Sequence, residues 1–461
     1  MGRFINQEAN FAADFGIAYR SSAIFYKPKN VRTTISFSNY WDFKNNLKVG
    51  LLASVRDMKG KLVFRKELSF GESNVINYVV SEVDEGSVEI EAFSSSNLRI
   101  PYAAIMAVYE TDKGVSMVHS YGRNHSLIEL EEDRVVVEAR ESCWTLRAQG
   151  NITNKAIFHN GHVELDSQEA TFIVTRDDGL EKTVFFQIPP VDRFETVVFE
   201  AEKIFPGLSD FLSGHGGWGT LHFNSKSSFT RLLLVWENAV KQDIQVTHSN
   251  FDYSSHTTNK VMTSKPAYMS LPVVYGKLPD VIVYPKYSDG TYNLQSDIPL
   301  SGGTVLDNVH KNLVFTRTDG TLPARIVTAL SSKVSPDDTM PFECSLGIVH
   351  EGRPQKRFHW FLISSEMQSV IHFTAYSEIY PVGESIDLVF RLYSSVTKEI
   401  AEYTVSYPSL NDLPNEIDVA DIFDLKNVDR FGYVSVFSHY GGLYLYSSLR
   451  KGNVVTLEHS F

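Results

Sequence analysis

The sequence predicts an all-β protein: tandem antiparallel β-sandwich modules, about four internal repeats, with a few short helices between strands. Three observations carry this expectation. The chain is rich in Phe (30) and Tyr (22), which fill a pleated, half-buried surface well. Four stretches alternate apolar and polar residues, break at a polar turn and alternate again, the pattern of a β-hairpin with one buried face. A strand-like run ending in histidine follows each of them at a similar distance, which makes the pattern a repeat.

The first hairpin is "LLASVRDMKGKLVFRKELSF" from Leu51, followed by a strand "GSVEIEAFS" from Gly86 and the run "GVSMVHSYG" ending on His119. The second is "TFIVTRDDGLEKTVFFQIPP" from Thr171. It precedes "EAEKIFPGLSDF", whose apolar residues fall at helical spacing, then a strand from Gly219 and "IQVTHSNF" with His248. The third, "VIVYPKYSDGTYNLQSDIPL" from Val281, reads as a hairpin before the strand "NLVFTRTDG" and "LGIVHEGR" with His350; it is the most divergent. The fourth, "LVFRLYSSVTKEIAEYTVSYP" from Leu388, precedes "DVADIFDLKNVDRF", in which Ile422 and Phe423 match Ile204 and Phe205, then "GYVSVFS" and "VVTLEHSF" with His459.

These landmarks place modules at residues 1–130, 131–258, 259–357 and 358–461. Units of ~100–130 residues have the size of a β-sandwich, whereas propeller blades run to only ~40–50 residues.

Composition narrows the classes of partner. With 43% hydrophobic and 21% charged residues the chain reads as globular. The net charge of −12 repels a phosphate backbone, and the longest basic stretch, "RPQKRF", is too short to offset it, so no nucleic-acid partner is expected. No segment approaches the ~20 apolar residues of a membrane span, so no membrane insertion is expected. The N-terminus lacks the basic start and apolar core of a secretory signal, and Asn6 breaks the myristoylation pattern that Gly2 opens. Only Cys143 and Cys344 occur, which points to a reducing, cytoplasmic setting rather than a disulfide framework.

The repeated histidines are the main candidates for chemistry. His119, His248, His350 and His459 could share one metal only if the chain closed into a ring. In a linear string of modules, each with a radius of gyration near ~13 Å, equivalent points lie tens of ångströms apart. Pairing each with a neighbour (His119 with His125, His248 with His256, His350 with His359, and Asp252 or Glu351 as carboxylate) gives unequal spacings. The best such divalent-metal set is His248, Asp252 and His256, with Tyr253 beside it. The competing expectation is that each histidine closes its strand through backbone hydrogen bonds, with no cofactor.

Arg99, Arg231 and Arg325 precede three of these histidines, and an arginine fork beside an imidazole could hold a carboxylate or phosphate. Tyr102 or Trp236 could stack on a sugar ring. "GHGGWG" at residues 214–219 is a glycine-rich turn without a phosphate-loop ending, and "HNGH" at 159–162 carries a hairpin-turn signature. No hydrolase elbow or zincin helix occurs. The resulting expectation is a non-catalytic binding or assembly protein. Its repeated modules would meet an extended carbohydrate or acidic ligand or a protein partner. The alternative is a metal-dependent or acid-base enzyme at one histidine-rich junction. A scaffold joined to a second chain through the C-terminal "EHSF" is the third reading.

Overall fold

The computed structural model describes residues 19–46, 48–94, 105–120, 125–126, 139–148, 151–225, 231–251, 267–274, 280–284, 292–294, 299–300, 305–306, 312–317, 327–332, 340–347, 349–350, 358–375, 385–440 and 443–460. Among these residues the strands form eight antiparallel sheets, two for each of four consecutive stretches of chain.

The first stretch contains β1 (Tyr19–Lys27), β2 (Arg32–Ser38), α1 (Tyr40–Asn45), β3 (Gly50–Asp57), β4 (Leu62–Leu68), β5 (Val75–Val80), β6 (Gly86–Ser94), β7 (Met106–Glu110), β8 (Val115–His119) and β9 (His125–Ser126). An outer sheet has the order β4-β3-β6-β1-β9 and an inner sheet β5-β2-β7-β8. Alternation along the strands puts Phe25, Ile35, Val55, Val88 and Tyr109 between the two sheets, all fully buried. The β3–β4 turn forms because Asp57 accepts the N–H groups of Lys59 and Lys61 through its side chain, while Gly60 takes φ +78°. A side chain at Gly60 would also strike the Arg193 carbonyl, since this turn lies against the second module.

The second stretch contains β10 (Ala139–Leu146), β11 (Ile152–His159), β12 (Gln168–Arg176), β13 (Glu181–Ile188), β14 (Thr196–Glu200), α2 (Ala201–Ile204), α3 (Leu208–Leu212), β15 (Gly217–Phe223), β16 (Leu233–Asn238), β17 (Asp243–His248) and β18 (Asn250–Phe251). The third contains β19 (Ala267–Ser270), β20 (Asp280–Tyr284), β21 (Tyr292–Leu294), β22 (Pro299–Leu300), β23 (Val305–Leu306), β24 (Asn312–Arg317), β25 (Val327–Ser331), β26 (Glu343–Gly347) and β27 (Val349–His350). The fourth contains β28 (Phe358–Ser364), β29 (Gln368–Ala375), β30 (Ile386–Tyr393), β31 (Ile400–Tyr407), β32 (Glu416–Asp418), β33 (Phe431–Ser438), β34 (Leu443–Lys451) and β35 (Val454–His459).

Strand order repeats in all four. The outer sheets are β13-β12-β15-β10-β18, β22-β21-β24-β19-β27 and β31-β30-β33-β28; the inner sheets are β14-β11-β16-β17, β23-β20-β25-β26 and β32-β29-β34-β35. The helical segments expected at Glu200–Phe211 and Asp418–Phe431 are present. They are α2 and α3 in one module, and 3₁₀ turns at Val419–Asp421 and Leu425–Asn427, capped by Asp418 and Asp424, in the other.

Two sequence expectations need correction. The stretch from Val281 is not one hairpin: β20 pairs with β23 and β25 in the inner sheet, while β21 pairs with β22 and β24 in the outer one. Local alternation reports which residues share a face but not which strand lies alongside. The "HNGH" segment is likewise no hairpin, because β11 and β12 lie in different sheets. Asn160 instead holds a sheet-to-sheet corner, donating to the carbonyls of Val163 and Asp192.

The modules close into a ring. The last strands of the four inner sheets, β8, β17, β26 and β35, surround a common axis, and each touches the two beside it. Apolar clusters cross the seams: Val88 and Tyr109 share one with Leu233, Val235 and Val246, and Met106 and Met117 share another with Trp360 and Tyr433. Polar bonds cross them as well. Tyr433 donates to the Ser36 carbonyl at 2.7 Å, Tyr446 to the Ser270 carbonyl at 2.8 Å, and Arg147 meets buried Glu343 at 3.2 Å. No described helix is long and apolar enough to cross a membrane.

Candidate functional site

The axial strands are the edges of their sheets, and an edge leaves backbone groups needing partners. Hydroxyl side chains from the next module supply them. Thr456 accepts the Met117 N–H at 3.0 Å, Ser116 accepts the Val246 N–H at 2.8 Å, and Thr247 accepts the Ser345 N–H at 3.3 Å. These bonds make Met117, Val246 and Ser345 equivalent positions. Two residues further along stand His119, His248 and Gly347. Strand pairing agrees: His119 faces Met106, His248 faces Leu233 and Gly347 faces Val327 at the start of β7, β16 and β25.

Three histidines therefore converge at one end of the axis. The His119 ring lies 4.3 Å from that of His248 and 4.8 Å from that of His459, centroid to centroid, both edge to face. One nitrogen from each of the three lies within 4.8 Å of the others. His119 and His248 are buried, while His459 keeps 26% of its side chain exposed, so the cluster meets solvent on one side. The wide separation expected of a linear string of modules does not apply: ring closure, which no local pattern encodes, puts the ends of β8, β17 and β35 together.

The hydrogen bonds orient the rings. His248 Nδ1 lies 2.8 Å from the Ser249 carbonyl and His459 Nδ1 lies 3.1 Å from the Ser460 carbonyl. A carbonyl only accepts, so each Nδ1 carries a proton, and in His248, held neutral by burial, Nε2 offers a lone pair. His119 Nδ1 is 3.3 Å from Glu458 Oε1. Buried His248 Nε2 has no hydrogen-bond partner. Burial first, and then the nearby charges of Arg231, His119 and His459, hold the His248 imidazole well below the usual histidine range, against the opposing pull of the Ser249 carbonyl.

Glu458 and Cys344 adjoin the cluster. Burial pushes the Glu458 carboxyl up, while the His459 charge, the backbone N–H groups of His459 and His119, and the Cys344 thiol pull it down. Burial pushes the Cys344 thiol well up, helped by Glu458, to which the sulfur donates at 3.7 Å. Three imidazoles, one of them held neutral by burial, thus stand beside a buried carboxyl group.

The remaining sequence candidates are distributed as follows. His350 is not the fourth member: it lies on β27, paired with Ala267 in the outer sheet, and Gly347 occupies the axial register. Lining up the histidines by sequence shifts this module by three residues, because β26 ends before its histidine. Arg231 is close enough to act on His248. Arg99, Arg325, Asp252, Tyr253, His256, Glu351 and Tyr102 lie outside the described residues, as do the side chains of His125, His350 and Cys143. His359 bonds to Ser460 at 2.7 Å.

Trp236 is no sugar platform. It is fully buried, donates to the Thr145 carbonyl at 2.9 Å and lies under Arg147. Two glycines of "GHGGWG" admit protein: a Cβ would lie 2.5 Å from the Leu212 side chain at Gly217 and 2.4 Å from the Phe172 ring at Gly219, whereas Gly214 takes φ +84° in open space. The "EHSF" segment expected to dock a second chain is used within this one: Ser460 donates its N–H to Leu445, and Glu458 is buried at the axis. Glu458 and Gly347 are the residues that sequence reasoning missed. The available signal was polar residues such as Ser116, Gln245 and Thr456 inside otherwise apolar strands.

At the opposite end of these strands a cleft of about 920 Å³ opens where the first, second and fourth modules meet. Its lining includes Tyr26, Lys29, Arg32, Asp112, Asp243 and Lys451, and counts five cationic and five acidic residues in all. Within this lining Arg430 grips both oxygens of Glu110 at 2.7 and 2.8 Å.

Fold and site thus define a closed ring of four β-sandwiches with a histidine cluster on its axis and a charge-balanced cleft at the other end. No protein-family model matches the chain, and no curated protein or solved structure matches it.

Proposed function

We propose that this is a non-catalytic binding protein that takes a neutral, polyhydroxylated ligand of the carbohydrate class in the three-module cleft. The observation that carries the reading is the equal number of cationic and acidic residues lining about 920 Å³ of open space. A polyanion would gain little net attraction there. Interleaved carboxylates, guanidinium and ammonium groups offer donors and acceptors to hydroxyls on every side. The groups with catalytic chemistry support the same reading from the other side, since they sit mostly buried at the far end of the axial strands. A chain with two cysteines, of which Cys344 is a buried thiol, also suits a reducing cytoplasm.

The test is a glycan array followed by calorimetry with the full chain and an Arg32→Ala/Asp112→Ala variant. Both residues are exposed on the cleft wall. The reading expects a neutral glycan bound by the parent chain, with affinity at least ~10-fold lower in the variant, about the worth of one or two hydrogen bonds. Binding only of acidic polymers, or a glycan bound equally by both chains, would reject it.

A further inference from the structure

We infer that His119, His248 and His459 form a binding site for one divalent transition-metal ion of the zinc class, with the Glu458 carboxyl group beside it. This is independent of the cleft. Metal-bound histidines characteristically give their second ring N–H to a carbonyl or carboxylate, which fixes the tautomer and aims the other nitrogen at the ion. Two of the rings have that arrangement, Nδ1 of His248 and His459 facing the next residue's carbonyl, while Nδ1 of His119 lies 3.3 Å from Glu458 Oε1. Nε2 of buried His248 has no hydrogen-bond partner, and one nitrogen each of His119 and His459 lies within 4.8 Å of a His248 nitrogen.

The spacing is compatible. Zinc binds imidazole nitrogen at ~2.0–2.1 Å, which sets tetrahedral ligands ~3.4 Å apart, so nitrogens within 4.8 Å of one another close on an ion by shifts of about 1 Å. Among the described residues the donors at this end of the axis are three nitrogens, with Gly347 at the fourth axial position. Partly exposed His459 gives the ion a way in. Imidazole donors select zinc-class ions over calcium or magnesium, which take oxygen ligands. A second group, Asp177, Asp178 and His215, is exposed, and Asp178 is already paired with Arg176, so it offers no comparable site.

The experiment uses the full chain, purified without an affinity tag and stripped with chelator, then titrated with Co²⁺ and Zn²⁺. The expected result is one equivalent of Co²⁺ giving the visible absorption of four-coordinate cobalt, displaced by Zn²⁺. Binding should weaken at least ~100-fold in His459→Gln and ~10–100-fold in Glu458→Gln, and be unchanged in His215→Ala. His459→Gln substitutes the partly exposed member, and near-ultraviolet circular dichroism confirms its fold; His248→Gln is the second variant should it not fold. The inference is overturned if the parent chain takes up no stoichiometric Co²⁺, or if uptake survives both histidine variants or disappears in His215→Ala.

Discussion

Ser116 and Val246, from adjacent modules, form a closed pair: the serine Oγ accepts the valine N–H at 2.8 Å and donates to the same residue's carbonyl at 3.3 Å. One hydroxyl thus satisfies both backbone groups of a buried edge-strand residue. Ser116→Ala removes both bonds without adding bulk. Because buried backbone groups left unpaired cost about 1–3 kcal/mol, urea unfolding of the variant should show stability lower by that amount. A loss under 0.5 kcal/mol, roughly the level of a neutral surface change, would mean that the seam does not depend on this pair.

Arg430 and Glu110 tie the fourth module to the first through both carboxylate oxygens. Arg430→Met strands a mostly buried carboxylate and should destabilise by about 3 kcal/mol. Adding Glu110→Met should recover most of that loss, because two apolar groups then face each other. A double-mutant cycle by chemical denaturation measures the coupling; additive losses would contradict it.

Burial holds His159 at about 3 and His372 at about 3, the latter helped by the charge of Arg450 and opposed by its bond with the Val273 carbonyl. Both values lie below the 6.5 of an unfolded histidine, so between these limits the unfolded chain binds more protons. Stability is then full above pH 6.5 and is lost as pH falls towards 3, by about 1.4 kcal/mol per pH unit for each group. Denaturation midpoints should drop between pH 7 and 5, a window above most carboxylate titration. His159→Gln should flatten the profile by about 2 kcal/mol over that span. A parent profile that is level from pH 7 to 5 would count against both assignments.

Gly219 leaves room for the Phe172 ring, with Trp144 beyond it. Gly219→Ala places a methyl group in the core of the second module and should lower the thermal midpoint, as overpacking costs about 1–3 kcal/mol. The combination Gly219→Ala/Phe172→Leu makes space and should regain part of the loss; no recovery would point to backbone strain instead.

Much of the fold was legible because its cause is local. The alternation in "LLASVRD" or "LVFRLYS" reports a strand with one buried face, and recurrence of that pattern reports a repeated sandwich. The third module was misread because Val281–Tyr284 and Tyr292–Leu294 alternate as hairpin arms do while belonging to different sheets. His350 was aligned with its counterparts by residue type, whereas backbone register assigns that position to Gly347. The histidines themselves were visible, but their meeting was not, since a period of two carries no information about distant modules.

By itself, then, the sequence determined four all-β units, their hairpins in three cases, and strands ending in His119, His248 and His459. Tertiary structure alone decided that the units close on one axis, that Ser116, Thr247 and Thr456 stitch its edge strands, and that three imidazoles share one buried end. The physical reason is that side-chain periodicity sets which face leaves water. What that face meets depends on apolar and hydroxyl groups contributed from hundreds of residues away.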